Sequence, residues 1–140
     1  MHTFRITAAG ICAALFAAGL ATAAHAGKPE KHDLNGVTYV TGGVGEREQD
    51  RLQQQSNDYN LRLTFAEQGS GAYLANVRVV ISKGENEQVL AVLTDGPFLM
   101  AALPPGRYRM EATNHGTTQA RSISVAAGSA TSLALYWPAN

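Results

Sequence analysis

The sequence predicts an all-β protein, a seven-stranded Greek-key-type sandwich with one short N-terminal helix. Three observations carry this prediction. From Asn60 onward, apolar residues recur at every second position, the period of strands buried on one face. Turn-forming clusters punctuate these runs every 8 to 14 residues, a spacing that suits a sandwich better than βαβ units. Only the stretch 46–57 has good helix formers without proline.

Residues 1–26 read as a cleavable signal peptide. Arg5 supplies the positive charge, Ile6 to Leu20 the apolar run, and Ala24-His25-Ala26 the small-residue cleavage pattern. The run is shorter than the ~20 apolar residues that span a bilayer. Cys12 lies inside it behind Ile11, where a lipoprotein would need a small residue. The mature chain is then expected to start at Gly27 and to be periplasmic or secreted, with no membrane span after signal removal.

Residues 27–59 form a polar leader, a short strand and a helix. Gly27 to Leu34 is dominated by Lys28, Glu30, Lys31, His32 and Asp33. Gly36 to Thr41 alternates weakly, as a short edge strand would, and Gly42-Gly43 breaks it. The helix expected over Glu46 to Asn57 has one large apolar residue, Leu52, with Val44 and Tyr59 near its ends. Its buried stripe is therefore thin. Glu46, Glu48 and Asp50 fall where the positive end of the helix dipole favours acids.

Residues 60–140 form the sandwich. Leu61, Leu63 and Phe65 alternate with Arg62, Thr64 and Ala66; Val77, Val79 and Ile81 with Arg78, Val80 and Ser82; Tyr108, Met110 and Ala112 with Arg107, Arg109 and Glu111. Val89 to Thr94 and Phe98 to Leu103 are more continuously apolar, as central strands are, and 118–125 and 131–137 complete seven. Among the turns, Pro104-Pro105-Gly106 assigns the positive φ to Gly106, whereas Gly128 is expected to tolerate a side chain better.

Composition excludes several classes. Cys12 is the only cysteine, so the mature chain has none and must be stable through its core alone. Its 114 residues (140 less 26) suffice for one domain. Losing Arg5 leaves ten Lys and Arg against eleven Asp and Glu, with no basic excess to attract nucleic acid or an anionic membrane.

Ala75-Asn76-Val77-Arg78-Val79, Thr94-Asp95-Gly96-Pro97-Phe98 and Leu103-Pro104-Pro105-Gly106-Arg107-Tyr108-Arg109 resemble the motifs of carboxypeptidase regulatory-like domains. These belong to the prealbumin-like, or transthyretin-like, sandwiches. The resemblance covers about residues 60 to 137 and implies the fold; such folds host many functions. The segment from Gly42 to Asn60 is similar to that of small periplasmic proteins carrying this domain. Hydroxyisourate hydrolases of the superfamily end in Tyr-Arg-Gly-Ser, whereas this chain ends Leu135-Tyr136-Trp137-Pro138-Ala139-Asn140. Some related sandwiches carry a Lys–Asn isopeptide bond, but Asn140 lies past the last expected strand.

No catalytic, cofactor-binding or metal-binding set is apparent. There is no G-x-S-x-G elbow, and the histidines of the mature chain are His32 in the leader and His115 in the turn Asn114-His115-Gly116. The candidate ligand or partner face consists of Arg62, Arg78, Arg109 and Tyr136. The arginines occupy outward strand positions and are expected to share one sheet face, with Glu67 and Glu111 as possible cross-strand partners. Tyr136 and Trp137 point opposite ways, so one presents an aromatic ring that could stack on a sugar. The expected function is a non-catalytic envelope module binding a protein or polysaccharide partner. The alternatives are an accessory factor that docks on an envelope complex through its polar helix, and a hydrolase with an unrecognised site.

Overall fold

The structure is a computed structural model that describes residues 31–139. The expected signal peptide and Asn140 lie outside the described residues. The elements are β1 (His32–Leu34), β2 (Val37–Gly42), α1 (Glu46–Gln55), a 3-10 turn (Ser56–Asp58), β3 (Leu61–Glu67), β4 (Arg78–Lys83), β5 (Glu87–Leu93), β6 (Phe98–Ala102), β7 (Gly106–Asn114), β8 (Thr117–Val125) and β9 (Thr131–Trp137). One sheet has the order β1-β2-β6-β3-β9, the other β5-β4-β7-β8.

Nine strands are described where seven were expected in the sandwich; β2 is the short strand expected over Gly36 to Thr41, now joined to the sheet, and β1 is the unforeseen one. Asn35 and Gly36 both have positive φ, +53° and +78°, the conformation of a tight hairpin turn, and they fold β1 back on β2. Polar His32 and Asp33 hide β1 from a hydropathy reading. Nor is β2 an edge: it lies between β1 and β6, pairing Val40 with Met100 and Gly42 with Phe98. The segment before Asn60 is thus hydrogen-bonded into the sheet.

The two sheets face each other across one apolar core. Leu61, Leu63, Phe65, Leu99 and Leu135 enter it from the first sheet, and Val79, Ile81, Leu90, Tyr108, Met110 and Ile123 from the second. The expected strand phases are observed: Val79 and Ile81 are fully buried and Arg78 is exposed. Trp137 is buried near Phe65, with ring centroids 6.0 Å apart, while Tyr136 is exposed.

A smaller apolar cluster lies on the outer face of the five-stranded sheet, where Leu52 of α1 packs with Val40, Tyr59 and Met100. The helix ends at Gln55, two residues before the expected Asn57, and the chain tightens into the 3-10 turn. Val44, expected near the helix stripe, is instead exposed. Glu48 folds back to accept the Gly43 N–H at 3.0 Å, and the Gln49 amide donates to the Gly43 carbonyl at 3.0 Å. These contacts fix the helix start, which has no side-chain cap at Gly45.

The glycine expectation holds in part. Gly106 has the expected positive φ, +158°, where a side chain would be strained although its Cβ would meet the Tyr108 ring at an ordinary 3.8 Å. Gly128, at φ +77°, occupies the left-handed region that side chains disfavour. Two prolines already complete the 104–106 reversal, so Gly106 enters β7 as strand backbone.

Strands β8 and β9 are edges of different sheets on the same side of the sandwich, and side chains link them. Thr131 donates to the Ser124 carbonyl at 2.9 Å, the Trp137 indole N–H to the Thr117 carbonyl at 3.0 Å, and Gln119 to the Tyr136 carbonyl. Arg121 also donates to the Ala120 carbonyl at 2.9 Å. Backbone acceptors that would invite another strand are therefore occupied along this seam.

Candidate functional site

Helix α1 covers only part of the outer face of the five-stranded sheet. Its one large apolar side chain, Leu52, holds it over β2 and β6, above Val40 and Met100. A helix with a wider apolar stripe would cover more of the sheet. The outer face of β3 and β9 consequently forms the floor of a groove of about 670 Å³, with α1 as one wall.

Strand register sets the floor in rows, because directly opposed residues share a face. In the first row Tyr73, Ala66 and Tyr136 lie side by side; Tyr73 lines the groove, and Tyr136 lies on the same outer face just beyond its lining. The second holds Phe98, Thr64 and Ala134, and the third Met100, Arg62 and Ser132. Both tyrosines are about half exposed, at 54% and 53%, although Ala66 between them is buried. Tyr73 meets Phe98 edge-on, with ring centroids 5.3 Å apart. From Ala66 to Arg62 the strand advances about 13 Å.

Arg62 closes the far end of this strip. Its Nε and one terminal nitrogen donate to the Ser56 carbonyl at 3.1 and 2.8 Å, tying β3 to the turn that ends the helix. A guanidinium carries five N–H donors, so three remain beyond these bonds. Among the described residues no carboxylate lies within ion-pair distance of Arg62; the ion pairs are Lys31–Asp58 and Arg109–Glu111. The α1 wall contributes Gln49, Gln53 and the exposed Asp50. Arg62 also borders a second cavity of about 360 Å³ with Asn57, Asp58, Tyr59 and Ser129. The Tyr59 hydroxyl is buried with no hydrogen-bond partner among the described residues. Burial, and secondarily the charge of Asp58, raises its pKa.

The four residues expected to share one face divide between two. Arg62 and Tyr136 fall on the helix-side strip. Arg78 and Arg109 lie on β4 and β7, on the outer face of the four-stranded sheet and so on the other side of the sandwich. Outward phase was correctly assigned, but phase does not say to which sheet a strand belongs. Glu111 pairs with Arg109 along the same strand at 3.2 Å, and Glu67 accepts from Ser70 at 2.9 Å.

Sequence reasoning missed Tyr73, Phe98 and the helix amides. Tyr73 sits in the 69–76 connection, where no period applies, and its bridge to Ala66 joins residues on either side of a turn. Gln49 and Gln53 carried a usable signal, since a spacing of four places them on one helix face.

Among the described residues no group of three or more His, Cys, Asp or Glu could hold a metal ion. His115 is exposed at φ +45° in the β7–β8 turn. No helix among the described residues is long and apolar enough to cross a membrane. Comparison with protein-family models and with curated proteins found no match to this chain.

Proposed function

We propose that this chain is an exported, non-catalytic binding module that holds an extended saccharide along the outer face of β3 and β9. The observation that carries the reading is the pair of half-exposed tyrosines, Tyr73 and Tyr136, set side by side across Ala66. Aromatic rings held with free faces bury large areas against flat apolar surfaces, and sugar rings present such faces. Between the tyrosines and Arg62 the floor offers the Thr64 and Ser132 hydroxyls, with Gln53 on the wall. These are short-range donors and acceptors suited to a polyol.

Export is supported by the pattern of Arg5, the apolar run and Ala24-His25-Ala26. The resemblance to carboxypeptidase regulatory-like domains fits a module that presents surfaces on a rigid sandwich. Docking through the helix is less favoured, because the apolar side of α1 already faces the sheet at Leu52.

A glycan array followed by calorimetric titration of the best oligosaccharide tests the proposal. Tyr73→Ala and Tyr136→Ala should each weaken binding about tenfold, the scale of one lost aromatic contact, whereas Arg78→Ala should change nothing. Wild-type affinity in both tyrosine variants would refute the strip. Turnover of the oligosaccharide would refute the non-catalytic assignment.

A further inference from the structure

We infer that the strip selects an acidic saccharide, with Arg62 receiving the carboxylate of a uronic acid unit; this rests on the saccharide reading above. The Ser56 carbonyl takes two of the guanidinium donors at 3.1 and 2.8 Å. That clasp fixes the plane of the fork, so little further ordering is needed when a carboxylate pairs with the remaining donors. A planar, weakly hydrated guanidinium suits two parallel N–H···O bonds. Arg62 is half-buried at the groove floor and, among the described residues, has no carboxylate in ion-pair reach. A cation so placed is more strongly felt by a ligand than one on an open surface.

The placement of charge fixes the ligand's orientation. Aromatic rings stand at the Tyr73–Tyr136 end and positive charge at the Arg62 end, about 13 Å along the strand. The carboxylate unit therefore occupies the Arg62 end, and neutral ring faces lie over the tyrosines. Asp50 is the acid that lines the groove, and it is exposed on the α1 wall. Water screens its repulsion, and its oxygens can accept from sugar hydroxyls.

An acidic peptide is the competing occupant, and the edge chemistry argues against it. Extended peptides gain affinity by adding to a free strand edge. The β9 edge is bridged to β8 by Thr131, Trp137 and Gln119. The floor itself presents hydroxyls and the small Ala134 side chain, not pockets for alternating peptide side chains.

The test titrates the purified chain at low salt with oligogalacturonate and oligomannuronate, with their methyl esters, and with oligoglutamate of equal length. At least one acid oligomer should bind about tenfold or more tightly than its own ester, the scale of a charged hydrogen bond. Raising the salt should narrow that gap. Arg62→Gln should abolish the preference for acid over ester, read as the ratio of the two affinities within the same variant, an outcome that damage to the fold would not produce. Arg62→Lys keeps the charge without the fork and should retain only part of the preference; it decides the matter if the Gln variant fails to fold.

Equal binding of acid and ester by the wild type would overturn the acid selection and leave the tyrosine strip standing. Failure of every acid and ester oligomer to bind would overturn both readings. Oligoglutamate binding as tightly as the uronates, with the same dependence on Arg62, would replace the saccharide by an acidic peptide.

Discussion

Gly96 lies directly against the backbone of Gly42: a Cβ on Gly96 would stand 2.4 Å from the Gly42 carbonyl oxygen. The Asp95-Gly96-Pro97 turn is thereby seated on the end of β2, where Thr41 also accepts the Asp95 N–H at 3.1 Å and donates to the Phe98 carbonyl at 3.0 Å. The atoms that would clash are backbone, so neither can rotate aside.

Gly96→Ala should therefore cost about 3 kcal/mol or more, the upper end for overpacking, as backbone must shift to admit the methyl. Gly128→Ala, with φ +77° but no atom within 4 Å of the added Cβ, should cost only about 1–2 kcal/mol of left-handed strain. Urea melts of the two variants compare crowding with strain. A Gly96→Ala midpoint at or above that of Gly128→Ala would contradict the close approach.

Strand phase gives a second contrast. Val79 is fully buried between β5 and β7, and Arg78 beside it is exposed. Val79→Asp places an unpaired carboxylate in the core and should prevent folding, whereas Arg78→Ala should change stability by no more than about 0.5 kcal/mol. Circular dichroism of both proteins is sufficient, and equal tolerance would mean that the strand is out of phase.

These predictions mark what the sequence made legible. Periodicity placed Val79, Ile81, Tyr108 and Met110 in the core, because a half-buried strand shows its phase in two or three alternations. It did not reveal how strands group into sheets. Arg62 and Arg78 look equivalent in sequence, yet pairing with β9 and with β5 puts them on different sheets. Sheet order is set by long-range register, which leaves no local trace. The strip was visible only in Arg62 and Tyr136; Tyr73 joined it through one bridge across a turn.

Alkaline pH should destabilise the fold through Tyr108. Its buried hydroxyl donates to the Pro104 carbonyl, and burial, then the charge of Glu87, raises its pKa above the ordinary 10.0. The folded state thus holds the proton more tightly than the unfolded chain. The associated stability is fully present below pH 10.0 and is lost as pH rises from there through the raised folded-state value. Tyr108→Phe removes both proton and bond, so it should be less stable at pH 7 by about 1 kcal/mol and lose less stability on titration above pH 10. Parallel alkaline slopes in the two proteins would exclude Tyr108 as the source.

The position of α1 depends on Leu52, and so does the groove. Leu52 is 3% exposed and packs against Val40, Tyr59 and Met100, apart from the main core. Leu52→Ala should cost about 2–3 kcal/mol, the low end for a buried leucine, because a small cluster can partly collapse. The loss should fall on local opening of the helix rather than on the sandwich, whose core contains no α1 side chain. Hydrogen exchange of amides in 46–58 should accelerate, while β3, β4 and β7 retain their protection. Loosening that wall should also weaken any ligand gripped between α1 and the floor, leaving the Tyr73–Tyr136 platform itself intact. Uniform acceleration across both sheets would show that the helix and sandwich unfold as one unit, and would make Leu52 part of the global core.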